Sequence, residues 1–228
     1  MKLTRQVQQV KVKDSVAEII EEAIFAGEIN PGDNINEFKL AQQLGVGTTS
    51  VREALFDLER RGFIRRIPNR GSFVSEFSEE ETHQIYAVRR ELEGLAAELV
   101  AGRPAGSKSM DRLRDIIEQM KIAAHENDLR RFYENDLEFH LTLWLLSENR
   151  FISQLLESIT VPLFAFYVMR TKRNSEELLA GAVAHEAIVD AIETADPALA
   201  RQVAGESLHF FFEHGQLLRQ YGAPGQTK

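Results

Sequence analysis

Between Leu44 and Val51 the chain reads LGVGTTSV, and this short connection excludes most folds. Leu40, Ala41 and Leu44 precede it and Val51, Ala54, Leu55 and Leu58 follow it, each set at the spacing of a helix with one buried face. A glycine-containing link of a few residues between two such helices is the turn of a helix-turn-helix. An earlier stripe at Val16, Ile19, Ile20, Ala23 and Ile24 predicts a first helix, ended by Gly27 and NPGD at 30–33. After Gly62, FIRRI and GSFV flank PNR, short β-branched and aromatic runs about a turn, which predicts a β-hairpin. Helix, helix-turn-helix and hairpin in this order make a winged helix-turn-helix domain, expected over residues 1–76.

Charge separates this part from the rest. The chain of 228 residues has a formal net charge of -8. Residues 1–76 hold 11 Lys+Arg and 11 Asp+Glu, so the remainder, with 16 against 24, carries the whole deficit. Inside the neutral part, RRGFIRRIPNRGSF at 60–73 has five arginines and no acid, a positive patch on an acidic protein. With Val51, Leu55 and Leu58 turned inward, Thr48, Thr49, Ser50 and Arg52 are the expected DNA contacts of the recognition helix. Helix N-termini attract phosphates, hydroxyls fit the groove floor, and an arginine reaches a guanine edge or a phosphate. Thr48 or Thr49 could equally cap the helix by accepting from its backbone amides. Asn69, Arg70 and Gly71 at the hairpin tip, with Arg65 and Arg66, are expected beside the DNA backbone or minor groove.

Beyond Ser78 no strand pattern occurs. Ile85, Val88, Leu92, Leu95, Ala96 and Leu99 form one helical stripe, Met110, Leu113, Ile116, Ile117 and Met120 a second, and four further helical patterns run to about Tyr221. A linker over 77–82 and an all-helical bundle over 83–228 are expected, giving a mainly α protein. Cysteine is absent, the N-terminus is too polar for a signal peptide, and the apolar run VPLFAFYVM is too short to span a bilayer, so a cytoplasmic chain with no membrane partner is expected. Asp136, His140 and His185 raise the alternative of a metal-dependent hydrolase. HEAIV at 185–189 lacks the second histidine of HExxH, however, and no GxSxG motif is present.

INEFKLAQQLGVGTTSVREALFDLERRGFIRRIPNRGSFV closely resembles the DNA-binding domain of GntR-family bacterial transcription regulators, chiefly through VREAL and PNRG. Many members carry Ser-Arg-Thr-Pro where this chain has Gly47, Thr48, Thr49 and Ser50, so Thr48 replaces an arginine used for base contact. YAVRRELEGLAAELVA at 86–101, Asp136 with His140, the following SEN, and HEAIVDAIETADPALA at 185–200 resemble the FCD domain of the FadR-like branch. The resemblance implies no catalysis. It implies a ligand-responsive regulator whose bundle binds a small effector, an organic acid or related metabolite, and pairs with a second copy. One recognition helix contacts few base pairs, so a homodimer on an inverted-repeat, double-stranded DNA operator is expected. Phe164, Phe166, Tyr167 and Phe210–Phe212 suit cavity, dimer seam or core, with core favoured for most.

Asp136 and His140 share a stripe with Leu129, Phe132, Leu143 and Ser147, and His185 shares one with Leu178, Ala182, Val189 and Ile192. Polar residues on core stripes need partners. In metal-binding FCD domains a further histidine comes from the last helix, where alignment places Ser207. His209, on the polar stripe, is expected to face solvent. Two chemistries suit an effector pocket of Asp136, His140, His185 and Ser207. One is a three-ligand site for zinc or a similar divalent ion, completed by water or an effector carboxylate. The other is a metal-free cavity in which the histidines hydrogen-bond Asp136 or the effector.

Overall fold

The computed structural model describes residues 9–103, 107–170 and 175–215. The chain divides into two compact units: the residues up to Phe77 together with Val161–Arg170, and Ser78–Thr160 together with the residues after Arg170.

In the first unit, α1 (Gln9–Phe25), α2 (Glu37–Leu44) and α3 (Thr48–Arg60) precede β2 (Ile64–Ile67) and β3 (Gly71–Val74), as the spacing predicts. Asn36 starts α2 by accepting from the Lys39 amide, and Gly45 stops it at φ 65°, a left-handed position that glycine enters without strain. The hairpin pairs Ile64 with Val74 and Ile67 with Gly71. A two-residue strand absent from the sequence reading, β1 (Asn34–Ile35), pairs with the other edge of β3, giving the order β1-β3-β2. Two residues are too few to show a period. Ile20, Val51, Ala54, Leu55, Leu58 and Val74 are at most 1% exposed and form the core, each larger aliphatic contributing about 1.5–3 kcal/mol by leaving water.

Ala165 and Met169 complete that core although they lie far along the sequence, on α7 (Arg150–Arg170). Gly62, at φ 80°, sits so close to the Val161 carbonyl that a Cβ would not fit. Phe166 packs edge-on against Phe77, 5.6 Å between centroids. Phe164, Phe166 and Tyr167 are all buried, so packing is their role here; the side chains of Phe210–Phe212 lie outside the described residues. The apolar stretch is also longer than VPLFAFYVM suggests. Arg150–Met169 has the length and composition to cross a membrane, because few charges interrupt the helix, yet 44% of it is buried inside the protein.

In the second unit α4 (Glu79–Ala101), α5 (Ser107–His125), α6 (Leu129–Leu146), the first half of α7, α8 (Ser175–Glu193) and α9 (Pro197–Gly215) follow one another. Residues 79–82, expected in a linker, are the first turn of α4. Ser78 accepts from the Glu81 amide while the Glu81 carboxylate takes the Ser78 amide, a capping box that pulls these residues into the helix. The buried face of α4 is also turned relative to the expected stripe. Val88 is 48% exposed and Leu92, Leu95 and Leu99 are only partly buried, whereas Arg89, Glu93, Gly94, Ala96, Ala97, Val100 and Ala101 face inward. Small residues let another helix approach: the Cβ position of Gly94 lies 3.2 Å from Arg201 of α9.

Candidate functional site

Two arrangements of charge stand out, one exposed in the first unit and one buried in the second. In the first unit α3 begins at Gly47, and no side chain caps it. The capping role open to Thr48 and Thr49 is therefore not taken. Both threonines are exposed, Ser50 is half-buried, and the first-turn amides of α3 are not used by a capping side chain. Arg52, on the same exposed face, is held by Glu37 of α2: its Nε donates to Glu37 Oε2 at 3.0 Å and Nη2 lies at the same distance.

The arginines of the hairpin differ in how firmly they are held. Arg66 is fastened to α3, with Nη2 donating to the Arg52 carbonyl at 3.1 Å, Nε 3.2 Å from Glu59, and its guanidinium over Phe56. Arg70 is exposed at the tip and packs over Phe73 at 5.9 Å. The tip is a turn closed by the Arg70 amide donating to the Ile67 carbonyl, with Asn69 at φ 61° and Gly71 at φ 103°. Pro68 before a left-handed Asn69 follows the residue preference of a tight turn. Arg65 is exposed. Thus the structure sets Thr48, Thr49 and Arg52 on α3, and Arg65, Arg66, Asn69, Arg70 and Gly71 on the hairpin, all exposed, with Arg66 also fastened to α3.

In the second unit the two stripes read from the sequence meet. Asp136 and His140 on α6 and His185 on α8 are at most 4% exposed, and their donor atoms come together. Asp136 Oδ1 is 2.9 Å from His185 Nε2 and 3.6 Å from His140 Nε2, and the two Nε2 atoms are 3.3 Å apart. Tetrahedral bonds of 2.0–2.2 Å place ligand atoms about 3.4 Å from one another, so these three already stand near the edges of a coordination shell.

The outer ring nitrogens explain the inner ones. His185 Nδ1 is 2.8 Å from the Gly181 carbonyl, which can only accept, so Nδ1 carries a proton. His140 Nδ1 lies 2.6 Å from Glu93 Oε2 on α4, and a ring nitrogen so near a carboxylate also holds a proton. With a proton on Nδ1 and none on Nε2, each ring aims an Nε2 lone pair at the other and at Asp136. Three acceptors converging in a buried place call for a cation, either a proton shared on the His185 side or a metal ion. The 2.9 Å contact between His185 and Asp136 is an ion pair when that proton is present. Burial would lower the His185 pKa, but the Asp136 carboxylate overrides this and raises it; burial likewise acts to raise Asp136, and His185 brings it down.

Glu93 and its partner Arg89 were not singled out by sequence reasoning. Arg89, 2% exposed, donates from Nε to Glu93 Oε1 at 2.8 Å and lies over the Tyr86 ring at 5.3 Å. Burial would raise the Glu93 pKa, yet Arg89 first and His140 second bring it down to about 2. The signal was present: Arg89, Glu93, Ala96, Ala97 and Val100 recur at helical spacing, but larger residues marked the neighbouring stripe more strongly. Ser207 is half-buried on α9; the His209 side chain lies outside the described residues. An open groove between α4 and α9, about 410 Å³, is lined by Arg90, Glu91, Ala198, Arg201, Gln202, Gly205 and Glu206 and involves none of the expected effector residues.

Comparison with known proteins agrees with both halves. The FCD domain family matches residues 84–210, and the family of bacterial regulatory proteins called gntR matches residues 12–74. A probable D-xylose utilization operon transcriptional repressor of Paenarthrobacter nicotinovorans is 27% identical over 197 residues, covering 86% of this chain and 85% of that protein. The gluconate operon transcriptional repressor of Bacillus licheniformis is 28% identical over 197 residues, 85% of this chain and 79% of the relative. Among solved structures, McbR/YncC of E. coli shares the fold, with a TM-score of 0.68 at 21% identity over 92% of this chain and 99% of that one. These families and relatives are transcription regulators, not enzymes, which removes the hydrolase alternative.

Proposed function

The chain belongs to the gntR family of bacterial regulatory proteins, with an FCD domain, and we propose that it is a cytoplasmic, homodimeric, ligand-responsive regulator reading an inverted-repeat operator. Thr48, Thr49, Ser50 and Arg52 enter the major groove, and Arg65, Arg66, Asn69, Arg70 and Gly71 lie along the backbone or minor groove, Arg66 also bracing the hairpin against α3. The observation that carries this reading is the uncapped start of α3, which leaves amides and two exposed threonine hydroxyls beside Arg52. Two-fold symmetry doubles the few base pairs one helix can read. A gel shift of the full-length protein on its own upstream DNA, with Arg52→Ala beside it, tests the reading. Sequence-selective retardation lost in the variant supports it; no selective retardation by the wild type refutes it.

The same proposal extends to the buried cluster. Asp136, His140 and His185 hold zinc or a similar divalent ion weakly, and with Ser207 where metal-binding relatives have histidine, a fourth donor comes from water or an acidic effector. The convergence of three buried acceptors supports a cation there. Bound metal would supply a Lewis-acidic point to hold a carboxylate, and one relative, by its name, governs a gluconate operon, gluconate being a carboxylate. Calorimetric zinc titration with and without an organic acid such as gluconate tests this. Binding that tightens with the acid is expected; no zinc uptake under either condition overturns it.

A further inference from the structure

The two histidines of the buried cluster are oriented by different means. His185 is fixed by a backbone carbonyl four residues earlier on its own helix, that of Gly181. His140 Nδ1 stands 2.6 Å from Oε2 of Glu93, a side chain from another helix. Glu93 divides its carboxylate between two tasks. Oε1 accepts from Arg89, and Oε2 faces His140. Arg89 is in turn held beneath the Tyr86 ring. The carboxylate therefore has no freedom to turn away, and both Glu93 and Arg89 are only 2% exposed.

We infer that Glu93 is the positioning residue that makes His140 an Nε2 ligand: it fixes the ring's proton on Nδ1 and aims the Nε2 lone pair at the point shared by Asp136 and His185. Glu93 touches neither ion nor effector and acts through His140. A carboxylate accepts but cannot donate, so the competing tautomer, with the proton on Nε2 and a lone pair on Nδ1, would set two lone pairs 2.6 Å apart. Outer carboxylates of this kind change metal affinity by about 10–100-fold when removed. The sequence signature is the i, i+4 pair of Arg89 and Glu93 on one face of α4, with His140 contributed by α6. The inference rests on the metal reading for its consequence, but the tautomer itself can be measured without metal.

The test uses full-length protein labelled with ¹⁵N-histidine, its His140 signal assigned by difference against His140→Gln. Wild type, freed of metal by chelation, should show His140 protonated on Nδ1. Because Glu93→Ala alone leaves Arg89 buried and uncompensated, the informative variant replaces both charges with apolar groups, Arg89→Met with Glu93→Leu, which preserves packing without an acceptor. In that variant the His140 proton should distribute over both nitrogens, and zinc affinity by calorimetry should fall about 10–100-fold. Glu93→Gln, whose amide oxygen can still accept from Nδ1, should lie between the two. His140 remaining on the Nδ1 tautomer in the double variant, or zinc affinity equal to wild type, overturns the inference. Should wild type take up no zinc, the metal reading fails, and the tautomer measurement alone decides the role of Glu93.

Discussion

Arg52 with Glu37 and Arg89 with Glu93 are the same chemical pair at similar separation, 3.0 Å and 2.7 Å. Their surroundings differ. The side chains of the first pair are 63% and 29% exposed, those of the second 2% and 2%. In water an ion pair is an exchangeable contact, worth about 0–1 kcal/mol, and an arginine so held can trade its carboxylate for a phosphate or a base. Away from water the charges cannot be separated without a large cost, so the pair acts as fixed structure against which other polar groups are arranged. The first pair thus keeps its arginine at the surface, and the second uses it to hold a carboxylate still.

The largest difference should appear in stability. Arg89→Leu leaves the Glu93 carboxylate buried without its cation and should cost about 3–5 kcal/mol in urea unfolding, most of it recovered by adding Glu93→Leu. Arg52→Leu should change stability by less than about 1 kcal/mol. Equal costs at the two positions would mean that burial does not set the two pairs apart.

Acid should sharpen the same contrast. Glu93 is held at about 2 in the folded protein against an ordinary 4.5, so its contribution to stability is complete above about pH 4.5 and is lost as pH falls toward 2. His185, whose pKa is raised on folding, acts in the opposite sense: its contribution is present below its unfolded value near 6.5 and fades as pH climbs through its folded value. Stability measured across pH 2–5 should fall steeply in wild type and less steeply in Glu93→Gln. An unchanged slope would show that Glu93 is not held in its charged form by Arg89.

What the sequence made legible follows the same division. In the first unit, the proposed DNA contacts are exposed and the inner face of α3 is apolar, so the inward set Val51, Leu55 and Leu58 placed Thr48, Thr49 and Arg52 outward by subtraction. In the second, Asp136, His140 and His185 were legible because each interrupts an otherwise apolar stripe; Phe132, Leu143, Leu178, Ala182, Val189 and Ile192 of those stripes are buried, and Leu129 is partly so. Glu93 escaped because charged residues at i, i+4 on a helix ordinarily form a solvated pair, and because Leu92, Leu95 and Leu99 suggested a different inward face. The contribution of α7 to the first unit was illegible for another reason. Periodicity reports that a face is buried, not which core receives it.

Metal binding should separate the clustered histidines from their neighbour. Zinc titration by calorimetry should lose its signal in His185→Ala and keep it in His209→Ala, since His209 lies on a polar stripe of α9. Loss of binding in His209→Ala would mean that the last helix supplies a ligand after all, and the three-ligand assignment would have to be abandoned.

On DNA, Arg52→Ala should reduce discrimination between operator and altered sites by about 1–3 kcal/mol, as expected for a base contact. Arg70→Ala should weaken all sequences alike and lower the slope of log affinity against log salt by about 0.9, the value for one phosphate. Competition binding at several salt concentrations distinguishes them, and equal, sequence-blind losses would refute the division between helix and wing.

The smallest expected effect concerns Glu37, and it asks what the exposed pair is for. Glu37 stands in the first turn of α2 and holds Arg52 by Nε and Nη2, which limits the directions the guanidinium can take. It is also a negative charge beside the face offered to phosphates. Removing the charge by Glu37→Gln should leave unfolding within about 1 kcal/mol of wild type. Affinity for random DNA should rise modestly, because a repulsion with phosphate is gone. Operator affinity should gain less, because Arg52 loses the partner that aimed it. The ratio of operator to random-DNA affinity, measured in one buffer at fixed salt, should therefore fall. A ratio that stays constant while both affinities rise would mean that Glu37 only repels DNA, and that Arg52 finds its base without help.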